Sequence, residues 1–498
     1  MNNLYQYIAH YSKTKKDYPF IKFDDKEVSF KDLHNSVVIL ASNLEKEGVS
    51  SGHRVGILLE NTAEFIISYY ALLSIGAVAV LLPSDSTTGH LVSFVKLSQI
   101  DTIIFAPHYQ TKVNECEVQH RNFSRKIVTG DASENSIPFS QLLEGTETAE
   151  SAHHIAEDHD AVILFTSGTT GVPRGVVLSK ENIFSNAMAC SGIIQPYRAD
   201  TFLASLPFYS AAAYTLILNT ALLLGAAIRI PADPSPQRWI ELLQEENNSV
   251  LVAYPQMLAE LRDMLAAQSA EVKSLRLVFS VGGPLSQTVL EQMEERCNCT
   301  VLETYGLTEA APFVAMNRGK LYRQTGSVGL ALACNEIRLI GESGTEIKTG
   351  EIGELQLRGT NIMQGYLDEY SLDLDYKQNW FSSGDMFFQD EEGFLYFMGQ
   401  RSDRIRRYGY WIYPHNIENI IGEHPAVEDV CVLGISGSHN SQQIKAYVVP
   451  VQGREISEQT LAQDLRPKLP HYLFPDIWEF REHLPRDEKR RIHKNQLK

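Results

Sequence analysis

Cysteine is scarce in this sequence. Six cysteines in 498 residues are too few for a disulfide framework in a chain of this size. Cys297 and Cys299 form a single C-x-C pair with no second pair and no nearby histidine, so ordinary buried or surface thiols are favoured over a zinc site. The pattern is typical of a protein of the reducing cytoplasm, and we expect that location.

Positive charge is also in short supply. The 44 Lys and Arg residues against 61 Asp and Glu residues give a formal net charge of −17. This acidity argues against nucleic acid or an anionic membrane as the main partner. Any phosphate-rich ligand must therefore be met by local basic groups.

Long unbroken apolar runs are absent as well. Residues 1–17 contain no apolar signal-peptide core. Residues 65–83 form the most apolar run, but Ser68, Ser74 and Gly76 interrupt it. A helix that ends at Gly76 and is followed by a strand explains this run better than a membrane span does. We therefore expect no transmembrane segment.

The stretch most suited to chemistry is residues 161–179. Apolar runs at 161–165 and 176–178 predict two strands. Between them lie four hydroxyl residues and three glycines: Thr166, Ser167, Gly168, Thr169, Thr170, Gly171 and Gly175. Exposed backbone N–H groups and hydroxyls form a concavity suited to a polyphosphate. The pattern is not the common P-loop, and the alternative, a surface hairpin, would not need four hydroxyls.

The remaining sequence predicts an α/β protein. Ser29 is a candidate N-cap of a helix that ends near Gly48, and strands and helices then alternate, as expected of a parallel sheet covered by helices. Residues 109–159 are polar, and we expect connections around one or two strands there. After about residue 325, short strands between glycine-rich turns predict a β-rich subdomain. A basic run and a compact α+β tail follow Gly399. The predicted parts are a large N-terminal domain of parallel-rich sheets packed with helices at 1–398, a hinge at 399–403 and a small C-terminal domain at 404–498.

Two more polar turns follow predicted strands. Gly282 and Gly283 follow a strand at 275–281, and residues 304–309 follow a strand at 301–303. Ligands bind at the carboxyl ends of strands in open α/β sheets. Both turns are therefore candidate ligand contacts.

Together these stretches resemble the adenylate-forming superfamily, which contains acyl-CoA synthetases, adenylation domains of peptide synthetases and beetle luciferases. The resemblance covers nearly the whole chain. Residues 166–175 are similar to the glycine-rich signature, 305–309 to the Y-G-x-T-E motif, 383–385 to the ribose-binding Gly-Asp motif, and 399–418 to the hinge segment. The four motifs occur in the family's order at suitable spacings.

The resemblance implies a two-step reaction. A carboxylate attacks the α-phosphate of ATP to give acyl-AMP and pyrophosphate, and a thiol then attacks the mixed anhydride and expels AMP. Glu309 would hold Mg²⁺, Tyr305 would stack on adenine, and Asp385 would accept hydrogen bonds from the ribose. The residues implied in nucleotide binding are Thr166, Ser167, Gly168, Thr169, Thr170, Gly171, Arg174, Gly282, Gly283, Glu303, Thr304, Tyr305, Gly306, Thr308, Asp385, Gln400 and Arg401.

The family's second step uses rotation of a mobile C-terminal domain. Ser402 matches the hinge position, and Gly409 matches a glycine that lines the thiol channel, where a residue without Cβ lets pantetheine pass. The basic residues at 404–407 would meet a phosphate of CoA or acidic groups of a carrier protein; the alternative is a solvated face.

Four positions depart from the family pattern. Arg174 replaces the usual lysine of the glycine-rich loop, Ser210 a histidine, Gln400 an arginine, and Arg491 the C-terminal catalytic lysine. Arg491 or the nearby Lys489 would have to bridge the attacking carboxylate and the α-phosphate. We expect a working but slower adenylation step.

The acyl pocket implied by the resemblance is lined by Tyr209, Ser210, Ala211, Gly282, Gly306 and Ala310. Residues 210–213 contain no acid to pair with an amino group, which disfavours an α-amino acid. Small alanines leave room for an apolar chain or ring, so we predict a fatty or other hydrophobic carboxylic acid as substrate. CoA is the favoured acceptor, because no carrier domain is fused to the chain.

Two alternatives stay open. The first is a stand-alone adenylation enzyme that loads an acyl or aryl group onto the phosphopantetheine of an acyl or peptidyl carrier protein. The second is a degenerate homologue that binds nucleotide or acyl ligand without turnover.

Overall fold

The structure is a computed structural model. It describes residues 1, 3–131, 135–145, 155–166, 174–194, 200–245, 248–268, 271–272, 274–367, 378–437, 441–451, 453–454, 456–486 and 492–497.

The described α-helices are α1 (Leu4–Thr14), α2 (Phe30–Lys46), α3 (Ala63–Ile75), α4 (Thr88–Ser98), α5 (Gln110–Gln119), α6 (Phe139–Leu142), α7 (Lys180–Ile194), α8 (Thr220–Leu224), α9 (Pro236–Gln244), α10 (Pro255–Gln268), α11 (Gln287–Cys297), α12 (Pro414–Gly422) and α13 (Glu458–Leu465). A π-helix at Ala213–Asn219 runs directly into α8. Short 3-10 turns include Thr308–Ala310 and Arg401–Asp403.

The described strands are β1 (Pro19–Lys22), β2 (Glu27–Ser29), β3 (Arg54–Leu58), β4 (Val78–Leu81), β5 (Thr102–Phe105), β6 (Arg125–Val128), β7 (Ile137–Pro138), β8 (Asp160–Thr166), β9 (Arg174–Ser179), β10 (Thr201–Leu203), β11 (Ala227–Arg229), β12 (Val250–Ala253), β13 (Leu277–Ser280), β14 (Thr300–Gly306), β15 (Phe313–Met316), β16 (Leu330–Ala331), β17 (Asn335–Ile340), β18 (Gly353–Gly359), β19 (Gly365–Tyr366), β20 (Phe381–Gln389), β21 (Leu395–Gln400), β22 (Ile405–Arg407), β23 (Tyr410–Ile412), β24 (Val427–Ile435), β25 (Gln443–Pro450) and β26 (Ile477–Phe480).

Two large sheets form the body of the molecule. One has the order β16-β15-β14-β13-β12-β10-β11-β1-β2 and the other β19-β9-β8-β4-β3-β5-β6-β7. The central pairs of both sheets are parallel, while β8–β9 and β14–β15 are antiparallel. Helices cover the sheets, so the predicted α/β class with parallel-rich sheets is confirmed.

The apolar run at 65–83 is a core helix followed by a core strand. Helix α3 is buried along almost its whole length, and Gly76 ends it in the left-handed conformation with φ of 72°. Strand β4 follows at once and is fully buried. Among the described residues, no helix is long and apolar enough to cross a membrane.

The chain after residue 334 forms smaller sheets. Strands β17, β18, β20 and β21 make an antiparallel sheet, β22 and β23 a hairpin, and β24–β26 a three-stranded sheet. The segment from β22 onward has its own core, in which Ile405, Ile417, Val432 and Leu461 are buried. These small sheets and the separate core have the composition that was predicted for a β-rich subdomain followed by an α+β tail.

One segment differs from its prediction. Residues 109–159 were expected to hold only connections around one or two strands, but they also contain α5 and the short α6. Helix α5 is mostly polar, and only Val113 and Cys116 are buried. Its apolar stripe is too narrow to give a helical pattern in the sequence.

Candidate active site

The two strands of the glycine-rich stretch form as predicted. Strands β8 and β9 pair antiparallel, and Thr166 lies opposite Arg174 where the pairing ends. Residues 167–173, which include the predicted Ser167, Gly168, Thr169, Thr170 and Gly171, lie outside the described residues. Their contacts with phosphate therefore stay predictions.

A residue that the sequence did not indicate, Tyr366, connects two predicted site residues. The guanidinium carbon of Arg174 lies 3.3 Å from the centre of the Tyr366 ring. The Tyr366 hydroxyl donates a hydrogen bond of 2.8 Å to Oε1 of Glu309. One side chain thus contacts both the loop cation and the predicted magnesium ligand.

Backbone contacts hold this connection in place. Strand β19 pairs antiparallel with β9, with Tyr366 opposite Val176. The Met363 N–H donates to the carbonyl of Glu309 at 2.8 Å. A Cβ on Gly175 would lie 2.4 Å from Cδ1 of Leu367, which explains the glycine at that position. Segment 363–367 is therefore fixed against both the glycine-rich strand pair and the Glu309 turn.

A second cluster surrounds Asp385. The Tyr305 hydroxyl donates to Oδ2 of Asp385 at 2.6 Å. Burial raises the pKa of Asp385 to about 6, although hydrogen bonds from Tyr305 and Gln400 oppose the shift and the charge of Glu309 adds to it. The predicted ribose acceptor and adenine platform are thus in contact.

Two phenylalanine rings pack against the ring of Tyr305. It meets Phe387 edge-on with centroids 4.7 Å apart, and it lies nearly parallel to Phe397 at 6.3 Å. Strand β14 continues to Gly306, three residues beyond its predicted end, because β15 pairs with it, with Tyr305 opposite Ala315. The predicted turn is therefore shorter than expected, and Tyr305 is held in a sheet.

The adjacent strand ends place other predicted residues nearby. Parallel strands β13 and β14 put Ser280 opposite Glu303, so Gly282 and Gly283, two and three residues after β13, lie at the same sheet edge. The Thr304 hydroxyl donates to the Ser280 carbonyl at 3.0 Å. Burial raises the pKa of Glu303 to about 7, with Arg323 acting against the shift.

Ser210, which replaces a family histidine, has a local structural role. Its hydroxyl accepts a hydrogen bond of 3.3 Å from the Ala213 N–H, at the start of the π-helix. Further along, the Thr215 hydroxyl donates to the Ala311 carbonyl at 3.0 Å. Segment 209–215 is thus tied to the 310–312 turn, and π-helical turns often accompany functional sites.

The basic residues after Gly399 are largely engaged with acids. Arg401 pairs with Glu354 at 2.6 Å, Arg404 pairs with Glu342, and Arg407 pairs with Asp476 at 2.9 Å. Both Arg404 and Arg407 have side chains only 5% exposed, whereas Arg406 is exposed. Neither of the two buried arginines belongs to a solvated face in this arrangement.

The hinge region has its own contacts. Ser402 and Asp403 lie in a 3-10 turn, and Lys494 binds Asp403 at 2.7 Å. Gly409 turns the β22–β23 hairpin with φ of +86° and has open space around its Cβ position. The predicted Lys489 and Arg491 lie outside the described residues.

The described acidic side chains suit a magnesium ion whose remaining ligands are phosphate oxygens. Within the described ranges, no three or more His, Cys, Asp or Glu side chains form a ready-made metal cluster. Mg²⁺ is commonly held by one or two carboxylates together with substrate phosphates and water. Glu309, which accepts a hydrogen bond from Tyr366, is a carboxylate of the kind that this role needs.

The sequence matches two protein families. The AMP-binding enzyme family matches residues 8–367, and the AMP-binding enzyme C-terminal domain matches residues 416–491. The first match alone covers more than half of the chain.

Named relatives align over almost the whole length. A 2-succinylbenzoate–CoA ligase of Bacillus cereus (strain Q1) is 28% identical over 480 residues, which are 96% of this chain and 95% of the relative. A long-chain-fatty-acid–CoA ligase of Bacillus subtilis (strain 168) is 26% identical in an alignment 516 residues long, gaps included, which covers 96% of this chain and 90% of the relative.

A solved structure has the same fold. The o-succinylbenzoate CoA synthetase of Bacillus subtilis, in complex with its acyl-adenylate intermediate, superposes with a TM-score of 0.83 at 25% identity, covering 99% of this chain and 97% of the other. The same enzyme in complex with ATP and magnesium superposes with a TM-score of 0.84 at 24% identity, covering 99% and 98%.

Proposed function

The chain belongs to the AMP-binding enzyme family, and from this premise we propose that it activates a hydrophobic carboxylic acid with ATP and transfers the acyl group to CoA. The observation that supports the proposal is one continuous site: Arg174 and Glu309 both contact Tyr366, and the charge of Glu309 acts on Asp385. These residues match the phosphate, metal and ribose contacts of an adenylating enzyme.

In the first half-reaction, protein groups mainly position and stabilise charge. Asp385 accepts hydrogen bonds from the ribose hydroxyls, because its two oxygens have acceptor sites beyond the one that Tyr305 uses. Thr166 and Arg174 donate to phosphate oxygens from the two ends of the glycine-rich loop. Glu309 would hold the magnesium ion, and a bound ion would supply positive charge to neutralise the leaving pyrophosphate.

The acid oxygen attacks the α-phosphorus and the bond to pyrophosphate breaks. The cation that bridges acid and phosphate comes from the C-terminal segment, at Arg491 or Lys489. A guanidinium is bulkier than an ammonium group, so we expect slower adenylation than with lysine. Proton transfer is not required of either side chain, because the substrate is already a carboxylate.

In the second half-reaction, the CoA sulfur attacks the acyl carbon and AMP leaves. The small domain rotates about Ser402, and the hairpin that carries Gly409 then borders the thiol path. The open space around Gly409 is consistent with a position that must stay clear of side-chain atoms.

The acid itself is proposed to be apolar. Tyr209, Ala211 and Ala212 are partly buried against the main core, and residues 209–213 contain no acidic side chain. The named relatives act on an aryl acid and on long-chain fatty acids. A test panel should therefore contain benzoate derivatives and fatty acids of graded length.

The experiment that tests the acceptor and the substrate together is a product assay. The purified protein is incubated with ATP, Mg²⁺ and each acid, with either CoA or a holo-carrier protein, and acyl thioesters are measured by mass spectrometry. We expect acyl-CoA with at least one apolar acid. Acylation of the carrier but not of CoA would instead make the protein a carrier-loading enzyme.

A further inference from the structure

We propose that Tyr366 is a positioning residue that orders the Glu309 carboxylate and the Arg174 guanidinium as one unit around the ATP phosphates. The inference rests on the proposed function, because both partners act on ATP. It adds a residue to the site that none of the four sequence motifs includes.

The first contact orders the carboxylate. The Tyr366 hydroxyl donates to Oε1 of Glu309 at 2.8 Å, and this hydrogen bond to an ionised acceptor is of the stronger kind. It limits the rotation of the carboxylate and uses Oε1, so that Oε2 is the oxygen we assign to a cation. A carboxylate that is oriented before binding loses less rotational freedom when the metal arrives.

The second contact orders the cation. The guanidinium of Arg174 lies over the Tyr366 ring, with its central carbon 3.3 Å from the ring centre. Arginine is suited to this arrangement, because its planar group stacks on aromatic faces, whereas lysine carries a compact charge on a flexible stem. The arginine at this loop position therefore has a partner that explains its presence.

The backbone fixes the ring between its two partners. Tyr366 lies in β19, paired with β9, and Leu367 N–H donates to the Gly175 carbonyl at 2.8 Å, one residue from Arg174. Three residues before Tyr366, Met363 N–H donates to the carbonyl of Glu309. The segment is thus hydrogen-bonded to Glu309 itself and to Gly175, the residue after Arg174, so the backbone holds the ring close to both of its partners.

Two substitutions separate the hydroxyl from the ring. Tyr366→Phe removes the hydrogen bond to Glu309 and keeps the stacking surface, while Tyr366→Leu removes both. Arg174→Lys keeps the loop charge and weakens the stacking. Tyr396→Phe is the matched control, because the Tyr396 hydroxyl also donates to a carboxylate, Oδ2 of Asp390 at 3.1 Å, in a different sheet.

The readouts are ATP affinity with and without divalent metal, by calorimetry, and Mn²⁺ binding in the presence of ATP, by electron paramagnetic resonance. We expect Tyr366→Phe to weaken Mn²⁺ binding about three- to ten-fold, the loss of one hydrogen bond, with metal-free ATP affinity unchanged. Tyr366→Leu and Arg174→Lys should also weaken metal-free ATP binding, and Tyr396→Phe should change neither.

Two results would overturn the proposal. If Tyr366→Phe binds Mn²⁺ as the wild type does, while Glu309→Gln does not, Tyr366 does not position Glu309. If Tyr366→Phe lowers metal-free ATP affinity and thermal stability together and leaves the metal contribution intact, its role is structural. A wild-type protein that binds no ATP would refute the proposed function itself, and that outcome is visible before any variant is compared.

Discussion

At the scale of single residues, Asp385 has a titration that should control nucleotide binding. Burial raises its pKa to about 6, so the carboxylate becomes protonated as the pH falls through that value. A protonated acid is a poorer acceptor for the ribose hydroxyls. We therefore expect ATP affinity to be full above pH 7 and to fall several-fold towards pH 5, as measured by calorimetry across that range.

Asp385→Asn provides the control for this titration. It should bind ATP weakly at every pH and lose the part of the pH dependence that comes from Asp385, while titration of Glu303, whose pKa burial raises to about 7, and of the ATP phosphates stays. Gln400→Arg is the informative second variant, because a cation next to Asp385 favours the charged form and should move the midpoint to lower pH. A wild-type affinity that is flat between pH 5 and 7 would contradict the assignment of Asp385 to the ribose.

The site residues that the sequence predicted differ from the one that it missed in what fixes their positions. Glu309, Tyr305 and Asp385 lie in short patterns of glycine and polar residues, and the structure brings them into one site. Tyr366 follows a single glycine in a stretch with no unusual composition, and its role depends on β19 pairing with β9. Such a long-range pairing is set by the folded sheet rather than by the local sequence.

At the scale of elements, the β14–β15 turn depends on the absence of a side chain at Gly306. A Cβ there would lie 2.5 Å from the carbonyl oxygen of Pro312, which is backbone and cannot rotate away. Gly306→Ala should cost about 1–3 kcal/mol of unfolding free energy, as expected for an overpacked site. Urea unfolding, followed by circular dichroism, measures the change.

Gly283→Ala is the matched control for that substitution. Its Cβ would lie 3.8 Å from Cγ of Pro255, an ordinary contact, so stability should be nearly unchanged. If the nucleotide base approaches Gly283 as proposed, ATP affinity should nevertheless fall. Equal unfolding midpoints for both variants would refute the close approach at Gly306.

Helices and strands with a clear pattern in their own sequence were predicted correctly. Those whose extent depends on contacts with neighbouring elements were not. Ser29 caps α2 by accepting a hydrogen bond from Asp32 N–H at 3.1 Å, as the capping pattern predicted. By contrast, β14 is lengthened by pairing with β15, and α5 buries only two side chains. Neither feature leaves a periodic signal in the sequence.

At the scale of the whole molecule, one ion pair crosses the proposed hinge. Arg404 follows Ser402 in the chain, and its guanidinium pairs with Glu342 on the other side. The Phe397 and His415 rings, 5.5 Å apart, form a second contact across the same region. These contacts stabilise the domain arrangement seen here relative to a rotated one.

Glu342→Gln should therefore shift the balance between the two half-reactions. Glu342 is 58% exposed but the Arg404 side chain is only 5% exposed, so loss of the pair should also lower global stability, and thermal unfolding of the variant is measured alongside. We expect the half-reaction that takes place in the domain arrangement seen here to slow, while the half-reaction that takes place in the rotated arrangement keeps its rate. Rapid-quench kinetics measures the two rates separately. Glu336→Gln is the control, because its ion pair with Arg358 lies wholly before the hinge, and equal slowing of both half-reactions by Glu342→Gln would contradict the proposal.

The division of the chain at 399–403 stays a prediction, and Gln400, predicted both in the hinge and as a nucleotide contact, shows what the folded sheet adds to it. The change in pattern near Gly399 predicted a boundary, but β21 continues to Gln400, and Gln400 contacts Asp385. A residue assigned to the hinge thus contributes to the predicted ribose site. Gln400 lies beside Asp385 because β20 and β21 pair with these two residues opposite each other.

The central claim, acyl-adenylate formation, is tested most directly by carboxylate-dependent exchange of labelled pyrophosphate into ATP, over a panel of apolar acids. The account predicts exchange with at least one acid, a severe loss in Glu309→Gln, and a loss in Asp385→Asn that ATP concentration partly restores. A wild-type protein that binds ATP but catalyses no exchange with any acid would contradict the account and leave a nucleotide-binding homologue without turnover.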